Sequence, residues 1–280
     1  MQTLDKRLWL WGYTLDTVPG NMMFVPAPTR CSLESAAKYL GCGSIVWMNS
    51  AHDIDALKPE NLERLKEFPQ IICGLTHIES NGPGKGGWKL LYKESARKIS
   101  ELSLQYPNIK GAIIDDFLHE TGPSKNITPE EVKAIRDELK SVNPELKLFV
   151  VQYFVTQTPK TLLPFADYFD GFASWLWHST DYYWKTLYDD EIRHLREQYP
   201  NKIIIQGMFV NAYGDGGEMT PQPMDQLELQ CACISKKLDA GVIDGWCALQ
   251  NGHFSFESHR KQVQFIKDYW EWYRATRTVL

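Results

Sequence analysis

The sequence predicts an α/β fold, a single (β/α)8 TIM barrel, on three observations. A short apolar run, a polar loop and a helical segment recur about eight times, as that fold requires, over 280 residues, a usual length for it. The central runs Ile203-Ile204-Ile205 and Phe149-Val150-Val151 do not alternate apolar with polar, which is how parallel strands covered on both faces read. No low-complexity tract or block of charge breaks the alternation, so residues 1–280 read as one domain.

Strands are expected at 7–13, 44–49, 71–77, 111–116, 148–154, 169–177, 202–210 and 241–250. The helices between them carry start and stop signals. Thr128-Pro129-Glu130-Glu131 combines a capping box with proline at the first helical position. Tyr106-Pro107, Asn143-Pro144 and Tyr199-Pro200 close three helices ahead of the next strand, and Asp239-Ala240-Gly241 closes a fourth with glycine past its last turn. A last helix over 257–274 carries Phe265, Tyr269, Trp270, Trp272 and Tyr273, rings expected to pack on the barrel wall. A doubly wound sheet is the alternative fold. It would place a glycine-rich nucleotide turn after the first strand, and Gly12-Tyr13-Thr14-Leu15-Asp16 does not match one.

The net charge of −5 and a pI near 5.8 argue against nucleic acid and anionic membranes as partners. No run is long and apolar enough to span a bilayer. The start, MQTLDKRLWLWG, enters a strand without a signal-peptide core. As it stands the chain reads as cytoplasmic, or as secreted or periplasmic had a leader been removed. Six cysteines fall on expected strands (Cys42, Cys73, Cys247) or helices (Cys31, Cys231, Cys233) without CxxC spacing, and read as buried free thiols.

Barrel chemistry gathers at the C-terminal ends of the strands. There the sequence offers Trp11 and Tyr13; Trp47, Asn49 and His52; Thr76, His77 and Glu79; Asp115, Asp116, His119 and Glu120; Gln152 and Tyr153; Trp175, Trp177 and His178; Gln206, Phe209, Asn211 and Tyr213; and Trp246, Gln250, Asn251 and His253. Aromatics, amides and carboxylates are dense and cations nearly absent. Sugars present apolar C–H faces edged with hydroxyls, which Trp and Tyr platforms flanked by Asn, Gln, Asp and His suit. A phosphate would want a cationic clamp or a glycine nest, and neither is visible. Expected substrate-binding residues are Tyr13, Trp47, Asn49, His77, Gln152, Tyr153, Trp175, Trp177, Gln206, Asn211, Tyr213, Trp246 and Gln250, with some of the tryptophans able to serve as barrel core instead. The segments 79–88 and 213–218 read as loops beside the cleft, fit to act as lids or as plain surface.

The most informative stretch is GAIIDDFLHE, residues 111–120. An apolar run ends in Asp115 and Asp116, which a buried strand could not carry unpaired in its middle. They must sit where the strand emerges, pointing to opposite sides. An acid cluster closing strand four of a barrel resembles the retaining TIM-barrel glycoside hydrolases. The adjacent pair is similar to the Asp-Asp signature of hexosaminidases that use substrate-assisted catalysis. The resemblance covers the strand-end motif and the barrel plan. Glu120 lies too far from Asp116 for the DGxDxDxE pattern of chitinases. The resemblance implies that the second acid polarises an acetamido group and that the first or a neighbour protonates the leaving oxygen.

The expected function is therefore hydrolysis of a glycosidic bond in an oligosaccharide or glycoconjugate, with no cofactor or metal and with the oligomeric state open. Strand seven ends in Gln206-Gly207-Met208-Phe209 without a carboxylate, so the remaining acid candidates are Glu79, Glu120, Asp215 and Glu218. A general acid needs a raised pKa, from an apolar setting or a like charge. Asp116, nearer the loop, is expected to be that acid. Asp115 is expected to be its ionised partner, held by Tyr153, Asn211 or Gln250, with Glu120 as the reserve acid. Two alternatives stand beside this. His52, His77, His119, His178 and His253 could join an aspartate around Zn²⁺ or Mn²⁺ in a metal-dependent hydrolase or isomerase. The barrel could also bind carbohydrate without cleaving it.

Overall fold

The structure is a computed structural model that describes residues 4–15, 29–80, 87–154, 156–177, 180–213 and 219–277. Eight strands form a closed barrel: β1 (Asp5–Gly12), β2 (Cys42–Trp47), β3 (Gln70–Gly74), β4 (Ile109–Ile114), β5 (Lys147–Tyr153), β6 (Gly171–Trp175), β7 (Ile203–Phe209) and β8 (Gly245–Leu249). Each neighbours the next in sequence, and β8 closes on β1. The pairing is parallel, with Ile113 beside Phe149 and Cys247 beside Gly207. This is the expected (β/α)8 order, with the strands close to the spans read from the sequence. The chain divides into two compact units, residues 1–45 with 174–280, and residues 46–173.

In the first unit, α1 (Leu33–Leu40) starts at Ser32, whose hydroxyl accepts the Ser35 N–H, and stops at Gly41 in the left-handed region, φ 73°. Cys31 was expected on a helix and lies just before that cap instead. α4 (Tyr188–Gln198) ends before Tyr199-Pro200 and α5 (Met224–Asp239) before Gly241, both as expected. α6 (Arg260–Thr276) begins later than expected, because Glu257–His259 forms a 3₁₀ turn. Its Trp270 and Tyr273 are wholly buried. An antiparallel hairpin pairs Asn211–Tyr213 with Met219–Pro221.

In the second unit, the chain after β2 breaks into short helical turns, Asn49–His52, Ile54–Ala56 and Pro59–Leu62. α2 (Tyr92–Gln105) follows a second hairpin, His77–Glu79 against Trp88–Leu90. His77 is thus outside the barrel strand, which stops at Gly74. α3 (Pro129–Leu139) carries the predicted Thr128–Glu131 capping box with both bonds made. It stops four residues before Asn143, because the Val142 and Asn143 N–H groups turn to the Ser100 hydroxyl at 3.2 and 3.1 Å. No helix among the described residues is long and apolar enough to cross a membrane.

Candidate active site

β4 delivers Asp115 and Asp116 into a tight turn. Asp116 and Leu118 both have left-handed backbones, φ 46° and 57°, rare for non-glycine residues and strained for leucine. The surroundings over-determine this turn. The Asp116 carbonyl accepts the His119 N–H and the Ser124 hydroxyl, each at 3.0 Å. Gly122 lies so close that an added Cβ would fall 2.7 Å from the Asp116 Cβ and carbonyl oxygen. Phe117 is buried edge-on to Phe165, and its carbonyl accepts the Gln157 side-chain amide. Gln157 reaches back through Oε1 to the Tyr153 N–H at 3.1 Å. One side chain thus ties the end of β5 to the turn after β4.

The two acids differ in what they touch. Asp115 keeps some exposed surface, yet its carboxyl is deep enough that burial, joined by the negative charge of Asp116, pushes its pKa well above the usual carboxylate range. The Asp116 N–H bonded to its Oδ1 at 3.0 Å opposes this only in part. Asp116 instead accepts the Tyr153 hydroxyl on Oδ1 at 2.6 Å, a short bond for two oxygens. Among the described residues neither acid has an ion pair. The expectation gave the raised carboxyl to Asp116; here burial and a like charge raise Asp115.

Aromatic and imidazole rings surround the pair. Burial, and then the charges of Asp115 and Asp116, push the Tyr92 phenol far up. His119 stands 5.3 Å from the Tyr153 ring. Burial lowers the His52 pKa while Asp116 pulls it up. Burial and His52 push His77 down to about 3, so both imidazoles are neutral at ordinary pH. The His52 helix is pinned by the Ser50 hydroxyl on the Gly74 carbonyl, at 2.8 Å, and by the Thr76 hydroxyl on the Ser50 carbonyl, at 2.6 Å. Gln152 is buried with its amide on the Gln157 carbonyl at 3.3 Å. Asn49 is buried, Glu79 is half-exposed and Glu120 is exposed. Trp47 is wholly buried, so it presents no face to a ligand and is core, not a platform.

In the other unit, Asn251 clamps the end of β1. Its carbonyl accepts the Tyr13 N–H at 2.9 Å, and its amide donates to the carbonyls of Tyr13, at 3.0 Å, and Cys31, at 2.7 Å. Trp175 lies edge-on to Trp11 and against Phe209, which in turn meets Trp177. Trp175 covers Gly207 so closely that a Cβ there would fall 2.1 Å from the indole, so only glycine fits. Gln206 spends its amide on the Ser174 and Gly207 carbonyls. Gln250 is buried, and its peptide with Leu249 is cis. Asn211 is wholly buried, and neither end of its amide has a partner among the described residues. Trp246 corrects the expectation outright. It is wholly buried against Tyr269, Trp270 and Tyr273 of α6, on the helix side of its strand and shut off from any ligand. His178, Asp215, Glu218 and the Tyr213 side chain lie outside the described residues.

Among the described residues no group of three His, Cys, Asp or Glu is placed to hold a metal ion. His52 sits with His77, and His253 stacks on His259 at 4.7 Å. Sequence reading missed Tyr92, Gly122, Ser124 and Gln157. Gly122, just past the acid turn, carried the one local signal that could have found any of them.

The chain matches no protein-family model and no curated protein. Its fold is shared with glycoside hydrolase TIM barrels. One is the family 99 endo-α-mannosidase from Bacteroides thetaiotaomicron, with TM-score 0.58 and 12% identity, covering 99% of this chain and 100% of that one. Another is active domain 2 of a chitinase from Pyrococcus furiosus, with TM-score 0.58 and 12% identity over 100% and 98%. A third, a GH5_18 protein from Streptomyces cattleya in complex with Manb1-4GlcNAc, has TM-score 0.59 and 13% identity over 99% and 82%. At these identities the likeness is one of fold.

Proposed function

We propose that the protein hydrolyses a glycosidic bond, with Asp115 and Asp116 as its acid pair. The observation that carries this reading is their inequality. One carboxyl is pushed up by burial and a like charge, and the next accepts a phenol at 2.6 Å, at the C-terminal end of a barrel strand. A carboxyl of raised proton affinity beside a second carboxyl is what glycosidic cleavage uses. Asp115 holds the proton and gives it to the leaving oxygen as the C–O bond breaks; a water that then bonds to the same sugar carbon returns a proton to Asp115. Asp116, oriented by the Tyr153 hydroxyl, faces the positive charge that develops on the sugar ring. The neutral imidazoles of His52 and His77 and the buried amide of Gln152 suit uncharged hydroxyls. The fold shared with an endo-α-mannosidase, a chitinase and a GH5_18 protein supports the same substrate class.

The test is a panel of aryl glycosides with chito-, manno- and laminari-oligosaccharides of two to six units, with and without chelator, read by reducing-end release. Turnover of one sugar class, indifferent to chelator, is the expected result. No release from any member, or release abolished by chelator, would overturn the reading.

A further inference from the structure

Trp88 begins the second strand of the His77–Glu79 hairpin, opposite Glu79, and is 37% exposed. One edge is anchored by the His77 ring, at 5.3 Å and 80°. The indole lines a surface cleft of about 440 Å³ that also takes in Glu120, Thr121, Gly122, Asn126 and Glu131. That volume is in the range of small-molecule sites, ~300–1,000 Å³.

Two features say what the cleft fits. Its wall at Gly122 packs directly on the Asp116 Cβ and carbonyl oxygen, so the cleft adjoins the turn that carries the acids, while neither carboxyl is part of its wall. Its chemistry is mixed: a flat indole beside the hydroxyl of Thr121, the amide of Asn126 and the carboxylate of Glu120. An anionic ligand would meet Glu120 and Glu131 with only Lys125 to offset them. A purely apolar ligand would desolvate the polar rim without bonds in return. A sugar ring satisfies both halves, its C–H face on the indole and its hydroxyls on the rim.

We infer that this cleft is a second sugar subsite, so that the substrate is a chain of several sugar units and not a single-sugar glycoside. The inference rests on the proposed hydrolysis for its meaning, but binding in the cleft is measurable without turnover.

The experiment titrates the full chain carrying Asp116→Asn, by calorimetry, with di- and hexasaccharides of the chito-, manno- and laminari- series. Trp88 is kept in one protein and replaced in Trp88→Ala. In one series the hexasaccharide should bind at least about tenfold tighter than the disaccharide, the scale of burying one aromatic face, and Trp88→Ala should remove that gain. Asn126→Phe, which fills the cleft from an exposed turn and leaves the Trp88–His77 packing intact, should remove it too and covers the case in which Trp88→Ala does not fold. No gain with length in any series, or a gain that survives a folded Trp88→Ala or Asn126→Phe, overturns the subsite. A Trp88-dependent gain in a protein whose wild type releases no sugar keeps the subsite and overturns the hydrolysis.

Discussion

Asp5, at the start of β1, bonds the Arg7 guanidinium at 2.9 and 3.2 Å. Asp244, just ahead of β8, takes Arg196 at 2.6 Å and the Ile204 N–H at 2.9 Å. Asp170, ahead of β6, takes the Leu148 N–H at 2.9 Å and has Lys140 at 3.3 Å. At the other end of β4, Asp115 and Asp116 have each other, a phenol and backbone, and no ion pair among the described residues. The electrostatic results are opposite. Burial would raise the Asp5 pKa, but the bonds and charge of Arg7 outweigh it and hold the carboxyl below its usual range. Burial and a like charge push Asp115 up. The same residue type secures the N-terminal ends of strands and is left proton-hungry at a C-terminal end. That asymmetry separates a barrel's stability face from its chemical one.

The contrast breaks first at the acids themselves. On a confirmed glycoside, Asp115→Asn and Asp116→Asn should each lower kcat by ~10²-fold or more, the scale of a lost acid–base group, with circular dichroism unchanged. Wild-type turnover should decline on the alkaline side as pH rises through the raised Asp115 value. Near-normal turnover in both variants would make the pair structural.

A smaller effect is expected one contact away. Tyr153→Phe removes the bond to Asp116 and leaves the ring against His119. Without that bond Asp116 loses its orientation, so kcat should fall ~10-fold, about 1.4 kcal/mol of barrier, and the melting temperature should drop by a few degrees, since such a bond contributes about 0.5–1.5 kcal/mol to stability. A change in KM alone would show that the phenol holds substrate and not the acid.

Gly122→Ala tests whether the turn's geometry matters apart from its charges. Its Cβ would press on Asp116 at 2.7 Å, and overpacking of this kind costs about 1–3 kcal/mol. Urea unfolding should show that loss together with a fall in kcat. A stability loss with kcat intact would mean that Asp116 tolerates displacement.

The mildest test compares Asp5→Asn with Asp115→Asn in urea across pH. Asp5 is depressed when folded, so its contribution is present at neutral pH and lost as pH falls through the carboxylate range. Asp115 is raised, so its contribution is complete below the unfolded value of ~3.9 and lost as pH rises through the folded value. At neutral pH Asp5→Asn should be less stable than wild type and Asp115→Asn more stable. Both should converge on wild type in acid. Shifts of the same sign would collapse the contrast between the two ends.

The barrel was legible in the sequence because its signals are local. Apolar runs such as Ile203-Ile204-Ile205, the Thr128–Glu131 capping box and the glycine after α5 act within a few residues, and the closed strand order follows from repeating them. The acid pair was legible for the same reason, since two carboxylates ending an apolar run have few places to go. What each acid touches was decided only by tertiary structure. Tyr153 reaches Asp116 from 37 positions along the chain. Gln157 reaches the Phe117 carbonyl from 40 positions away, and the burial that raises Asp115 comes from neighbours that no spacing rule supplies. Trp246 failed as a platform on the same ground: strand periodicity assigns alternate faces, but only the packing of α6 decided which face carried the indole. Proton affinity and exposure are sums over space, and residues near in space here are distant in sequence.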